Sequence, residues 1–204
     1  MWHVGGGGPD PEFVRRMHPP ENEIPVALPL TAVLARTDDV AVALLGLQVH
    51  TTGLTFTVTV RARPSGGVST RDLSEFFFHH RGELRERFLF GLEFSDGRRV
   101  VASEWGPPQG DDDVVLTGSG GSGGDSVVDQ SWWLSPLPPE GPLRVVVRCV
   151  ELGIEETTTE LDGTAIRRAA ADVVELWPWE PPRFDDRPPS PPPPDVPGDS
   201  WFAR

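Results

Sequence analysis

Residues 54 to 61 read Leu-Thr-Phe-Thr-Val-Thr-Val-Arg, with an apolar side chain at every second position. In an extended chain this puts all the apolar groups on one face and all the polar ones on the other, whereas a helix would scatter both around its axis. The segment therefore reads as a half-buried β-strand. The same period returns at Val40, Val42 and Leu44, at Phe88, Phe90, Leu92 and Phe94, and at Leu143, Val145, Val147 and Cys149. Repeated strands of this kind predict an all-β fold: a two-layer antiparallel β-sandwich, Ig-like or jelly-roll-like, of roughly seven to nine strands. One short and one longer helix complete the expectation.

Turn chemistry orders these strands. Thr51-Thr52-Gly53 joins the run from Val40 to the run from Leu54, so residues 39 to 63 form a long hairpin, with Gly46 marking a bulge. Asp96-Gly97 between two β-runs predicts a type I′ turn and a second hairpin. Val26, Leu28 and Leu30 alternate beside Pro25 and Pro29, which suits an edge strand. Ser69 or Thr70 can cap a short helix carrying Leu73, Phe76, Phe77 and His80 on one face. Val114 to Leu116 reads as a short strand. Gly118 to Asp125, rich in glycine and serine, reads as a flexible, mobile hairpin tip. From Asp162 the period becomes helical, with Ile166, Ala169, Ala170, Val173 and Trp177 on one stripe, and Pro178 ends that longer helix.

The ends differ from the middle. Residues 1–23 contain Gly5 to Gly8, Pro9, Pro11, Pro19 and Pro20 and are expected to form an extended arm, with at most one helical turn between Glu12 and Met17. Residues 24–180 make up the sandwich domain. Residues 181–204 are dominated by proline and have too little apolar surface to offset the entropy of ordering, so a disordered, polyproline-like tail is expected. That tail finishes in Trp201-Phe202.

Charge and composition narrow the partners. The chain has 204 residues, 31 acidic and 18 basic, for a formal net charge of −13. Every basic residue is arginine and tyrosine is absent, a pattern that a GC-rich genome explains through codon usage. Such an acidic chain repels phosphate backbones, so no nucleic acid is expected as a partner. No apolar run approaches the ~20 residues of a membrane span and the first residues lack a leader pattern, so a cytoplasmic protein without membrane association is expected. The single cysteine, Cys149, sits in an alternating run and reads as core.

No catalytic constellation emerges. There is no Gly-x-Ser-x-Gly turn and no phosphate-binding glycine loop. His79-His80 are adjacent rather than four apart, so they do not chelate jointly. Gly120 to Val128 matches a calcium-binding nonapeptide once, but that architecture shares its ions between stacked copies, so a linker is the simpler reading. Asp111 to Asp113 reads as a solvated acidic turn. No metal and no cofactor is expected.

Seven tryptophans are the remaining signal. Trp132 and Trp133 must face opposite sides of a strand, which places Trp133 on the outer surface or under the C-terminal helix if Trp132 fills the core. Trp177 and Trp179 straddle Pro178. These rings either seal the sandwich edge or offer a platform to sugar rings or to a partner's proline-rich segment. Trp133, Trp179, Trp201 and Phe202 are the candidate binding residues.

Gly-Pro-Asp-Pro-Glu-Phe-Val-Arg-Arg at 8 to 16, Asp-Gln-Ser-Trp-Trp-Leu at 129 to 134, Glu-Leu-Gly-Ile-Glu-Glu at 151 to 156 and Trp-Pro-Trp at 177 to 179 resemble uncharacterised proteins of high-GC actinobacteria, a family of unknown function. The resemblance spans most of residues 8 to 180. It implies a bacterial cytosolic protein and carries no activity or site residue. The reading that follows is a non-catalytic binding or adaptor protein that engages another protein through an aromatic patch or its terminal arms. The alternatives are a carbohydrate-active or other hydrolytic β-sandwich enzyme using loop carboxylates, and a structural subunit of an assembly.

Overall fold

The computed structural model describes residues 10–64, 73, 88–102, 109–110, 113–124 and 126–181. Among them are helix α1 (Pro11–Met17) and strands β1 (Glu23–Ile24), β2 (Val26–Arg36), β3 (Val40–Val49), β4 (Leu54–Ala62), β5 (Leu89–Glu93), β6 (Arg99–Val101) and β7 (Gln109–Gly110). They continue with β8 (Val115–Gly123), β9 (Val127–Ser135), β10 (Pro142–Cys149), β11 (Ile154–Asp162), helix α2 (Gly163–Ala169) and β12 (Val174–Glu175). The protein is mostly β, with antiparallel sheets and two short helices among the described residues.

One five-stranded sheet has the order β2-β3-β4-β9-β8 and the other β11-β10-β5-β6-β7, while β1 and β12 form a separate two-stranded ladder. Consecutive strands change sheet between β4 and β5, between β7 and β8, and between β9 and β10. Both sheets contribute to one apolar cluster in which Val42, Val58, Leu116, Leu134, Val145 and Cys149 are fully enclosed. Phe90 of β5 bridges them. Its ring lies 6.0 Å from that of Phe56 on β4, edge-on, and 5.4 Å from that of Trp132 on β9. At one flank the Thr157 hydroxyl of β11 donates to the Leu34 carbonyl of β2 (2.9 Å).

The alternation of Leu54 to Arg61 is realised: Leu54, Phe56, Val58 and Val60 are buried and Thr55 and Thr57 half-exposed on the other face. β3 and β4 form the expected long hairpin, with the register slipping between Leu45 and Leu47 around Gly46. β2 is an edge strand.

Four expectations change. The hairpin at Asp96-Gly97 has a three-residue loop and not a type I′ turn, since that turn needs a positive φ at Asp96 and no residue but glycine has one among the described residues. Instead the Gly97 N–H donates to the Phe94 carbonyl, Gly97 takes φ +90°, and the Phe94 N–H donates to the Arg98 carbonyl. The Asp96 carboxylate holds Arg98 through its backbone N–H and its guanidinium.

Gly118 to Gly124 is no mobile tip. Thr117 to Gly123 pairs along β9, with one slip between Gly118 and Gly120. Backbone pairing does not need side chains, and across the ladder Gly118 stands opposite the bulky Trp132.

The longer helix is absent as well. α2 stops at Ala169, a 3-10 turn covers Ala170–Asp172, and β12 then pairs Ile24 with Val174 and Glu23 with Glu175. Two β-branched valines and the restriction that Pro178 places on Trp177 favour extended chain here, and β1 offers a ladder that a helix would forgo. Asp162 caps α2 by accepting from the Ala165 N–H (3.0 Å).

The extended arm is modified from Pro11 onward. Asp10 accepts from the Glu12 N–H and starts a two-turn helix, and Asn22 and Glu23 are buried. Of the short helix expected near residues 70 to 80, only Leu73 lies within the described residues, where it is helical and fully buried.

On the outer face of the second sheet, Arg144 reaches both Glu93 (2.8 Å) and Glu160 (3.0 Å), and Arg99 pairs with Glu93. The hydrogen bond from Arg144 is the main reason that the Glu93 carboxyl lies below the usual carboxylate range. Arginine forks are well suited to such a ladder.

Candidate docking surface

Trp133 sits at one end of the outer face of the first sheet, and none of its surface is exposed. Its Nε1–H donates to the Arg16 carbonyl of the arm (2.8 Å), and the His50 ring meets it edge-on with centroids 5.6 Å apart. Gly53 lies so close that a Cβ there would fall 2.6 Å from the indole and 2.2 Å from the Leu134 carbonyl. Trp133 is on the outer face, as strand alternation requires, but the N-terminal arm and not the C-terminal helix covers it. With the arm in this position its ring is enclosed and has no exposed face.

The arm is locked by a buried polar group that the sequence did not reveal. The Glu23 carboxylate accepts from the Thr51 backbone N–H (2.9 Å) and from the Thr51 hydroxyl. His50 Nδ1 stands 3.7 Å from the same carboxylate. Asn22 donates to the Trp177 carbonyl (2.8 Å), and the Leu176 N–H donates back to the Asn22 carbonyl (2.8 Å). Glu23 and His50 are 27 positions apart, and only the pairing of β1 beside the turn between β3 and β4 brings them together.

Burial pushes the His50 imidazole below its ordinary value of 6.5, and the facing Glu23 carboxylate opposes this without cancelling it. The folded state therefore disfavours the protonated ring relative to the unfolded chain. Stability is complete above the ordinary value and declines as the pH falls below it, with a limiting slope of about 1.4 kcal/mol per pH unit for one proton. Thermal melts between pH 7.5 and 5.5 should fall more steeply for the wild type than for His50→Gln; parallel curves would mean that the imidazole is not the group responsible.

Trp179 is half-buried, with the Arg15 guanidinium 5.4 Å above its ring. One arm thus brings Trp133 and Trp179 into a common assembly through adjacent residues, Arg16 and Arg15. Trp201 and Phe202 lie outside the described residues.

The exposed apolar groups are elsewhere. Ile24 (53 % exposed) and Val174 (56 %) face each other across the β1–β12 ladder, Leu176 (46 %) follows two residues later, and Trp177 (58 %) comes next. Phe13 of α1 is also exposed. Reading Val173 and Trp177 as a helical stripe hid this strip; Val173-Val174 and Pro178 were the signals for extended chain.

The outer face of the first sheet also holds an open cleft of about 750 Å³ lined in part by Gln48, Thr55, Thr57, Ser119 and Ser131. It has hydroxyl and amide groups but no carboxylate or imidazole among the described residues. The described residues contain no cluster of three or more histidine, cysteine or acidic side chains that could hold a metal ion, and no helix long and apolar enough to cross a membrane. His79, His80, Asp111 and Asp112 lie outside them. No family model, no curated protein and no solved structure matches the chain.

Proposed function

We propose that this chain is a non-catalytic binding protein of the cytoplasm, a two-layer β-sandwich that engages another protein through an apolar strip beside its N-terminal arm. The observation that carries the reading is the exposed apolar run itself: Ile24 and Val174 face each other across the β1–β12 ladder, Leu176 and Trp177 follow in the chain just beyond it, and each is about half exposed. Scattered single apolar residues need no explanation on a protein surface, but four together, including a tryptophan, form the kind of patch that partners cover. Tryptophan is also enriched among the residues that dominate binding energy. The sandwich reading rests on the strand crossings between the sheets and on the Phe56, Phe90 and Trp132 rings that meet between them. The interleaved pairs β4·β9 and β5·β10 favour a Greek-key arrangement of the jelly-roll or Ig kind.

The test is a quantitative pull-down from native cytosol with the full chain, Leu176→Ser/Trp177→Ala, and a chain ending at residue 182. The double variant should melt within a few degrees of the wild type and lose at least nine-tenths of a partner that the wild type recovers. Equal recovery by the double variant would reject the strip. Loss only on truncation would transfer the role to the segment ending in Trp201-Phe202.

A further inference from the structure

The four outer strands of the two large sheets are not equally protected. β2 carries Pro29 and two register irregularities, β11 carries Glu155, Glu156 and Glu160, and β7 is only two residues long. Proline, charge and shortness are the usual means by which sheet edges avoid pairing with other chains. β8 has little of this. From Thr117 to Gly123 it contains threonine, serine and glycine alone, residues 119 to 123 are exposed, and its outer edge has no strand partner among the described residues. Its one bulge, between Gly118 and Gly120, leaves Gly120 to Gly123 paired in regular register with β9.

Two further observations show what this edge would take. Ser122 pairs with Asp129, so both point to the outer face, and Asp129 Oδ1 is buried without a hydrogen-bond partner. Beside β8 runs a cleft of about 500 Å³, bounded by Met17, His18 and Pro19 of the arm and by Gln130. Gln130 is 3 % exposed and its Oε1 also lacks a partner.

We propose that the free edge of β8 binds an extended, proline-free peptide segment of a partner protein by strand addition, with an arginine or lysine of that segment opposite Ser122. Backbone N–H and C=O groups of the incoming strand complete the β8 ladder, and alternate side chains fall along the cleft under the arm. Strands are spaced by about 4.8 Å, so the new strand lies about 10 Å from β9. A long cationic side chain crosses the small Ser122 and reaches the Asp129 carboxylate. The overall charge of −13 favours the same sign of ligand. A second copy of the chain fits less well, since Ser122 of a facing β8 brings no cation.

This surface is separate from the apolar strip, and so is its test. The isotope-labelled full chain is titrated with the heptapeptide Thr-Val-Thr-Arg-Val-Thr-Val, with the same peptide bearing glutamate for arginine, and with a form N-methylated at alternate amides. The arginine peptide should shift the amide resonances of Leu116 to Gly123 with a millimolar or tighter Kd. The glutamate and N-methylated peptides should bind at least tenfold more weakly. Asp129→Asn should weaken the arginine peptide about tenfold, the size of a lost hydrogen bond to a charged group. Ser122→Arg, an exposed substitution that leaves the ladder intact, should supply the cation in place and abolish the preference for arginine. Shifts confined to Ile24, Val174 and Leu176, equal binding of the N-methylated peptide, or β8 shifts that grow with protein concentration alone would each overturn the proposal.

Discussion

Phe56→Asp should unfold most of the protein at 25 °C. Phe56 is 5 % exposed, pairs with Trp132 across the ladder and meets Phe90 of the opposite sheet. Removing a buried phenylalanine costs about 3–5 kcal/mol, and a buried carboxylate without a partner adds several more. The total is on the order of the whole stability of a domain. Thr57→Asp tests the same strand on its other face, where Thr57 is half-exposed and lies opposite Ser131. There the change should stay within about 1 kcal/mol. Urea unfolding followed by circular dichroism checks both, and comparable losses in the two variants would contradict the alternation of this strand.

Trp133→Ala should cost about 3–5 kcal/mol, because a fully enclosed indole leaves a cavity between Gly53, His50 and the arm that backbone cannot fill. Trp133→Phe keeps much of the volume and removes the hydrogen bond to the Arg16 carbonyl, for a loss of about 1–2 kcal/mol. The two variants should also loosen the arm in proportion. Limited digestion with trypsin, which cleaves after Arg15 and Arg16, should be slowest in the wild type and fastest in Trp133→Ala. A stable Trp133→Ala protein with wild-type digestion would show that the indole does not hold the arm.

Strands whose side chains alternate were legible because burial on one face writes a period of two into the residues themselves. Leu54 to Arg61, Phe90 to Phe94 and Leu143 to Cys149 are of this kind. Of β8 only the start, Val115 and Leu116, was legible; from Thr117 to Gly123 the ladder is made by backbone groups, and glycine leaves no side-chain record of pairing. β12 was hidden for the opposite reason. Ile166, Ala169, Ala170, Val173 and Trp177 fit a helical period, but the competing partner, β1, lies about 150 positions away and no local pattern announces it. A shorter separation, 27 and 28 positions, was still enough to hide the Glu23, His50 and Thr51 group, because no local period links those residues. Of the tryptophans, the sequence identified Trp133 as facing away from Trp132, and long-range packing alone decided that the arm would cover it.

The β1–β12 ladder also has a mechanical consequence. It is antiparallel, and Asn22 and Leu176, hydrogen-bonded to each other, leave it from the same end. A load applied at these two points does not shear the ladder but peels it, one bond after another. The clasp would therefore yield at low force and bare the far side of Ile24 and Val174 while the two large sheets, enclosed between residues 26 and 162, still carry no tension.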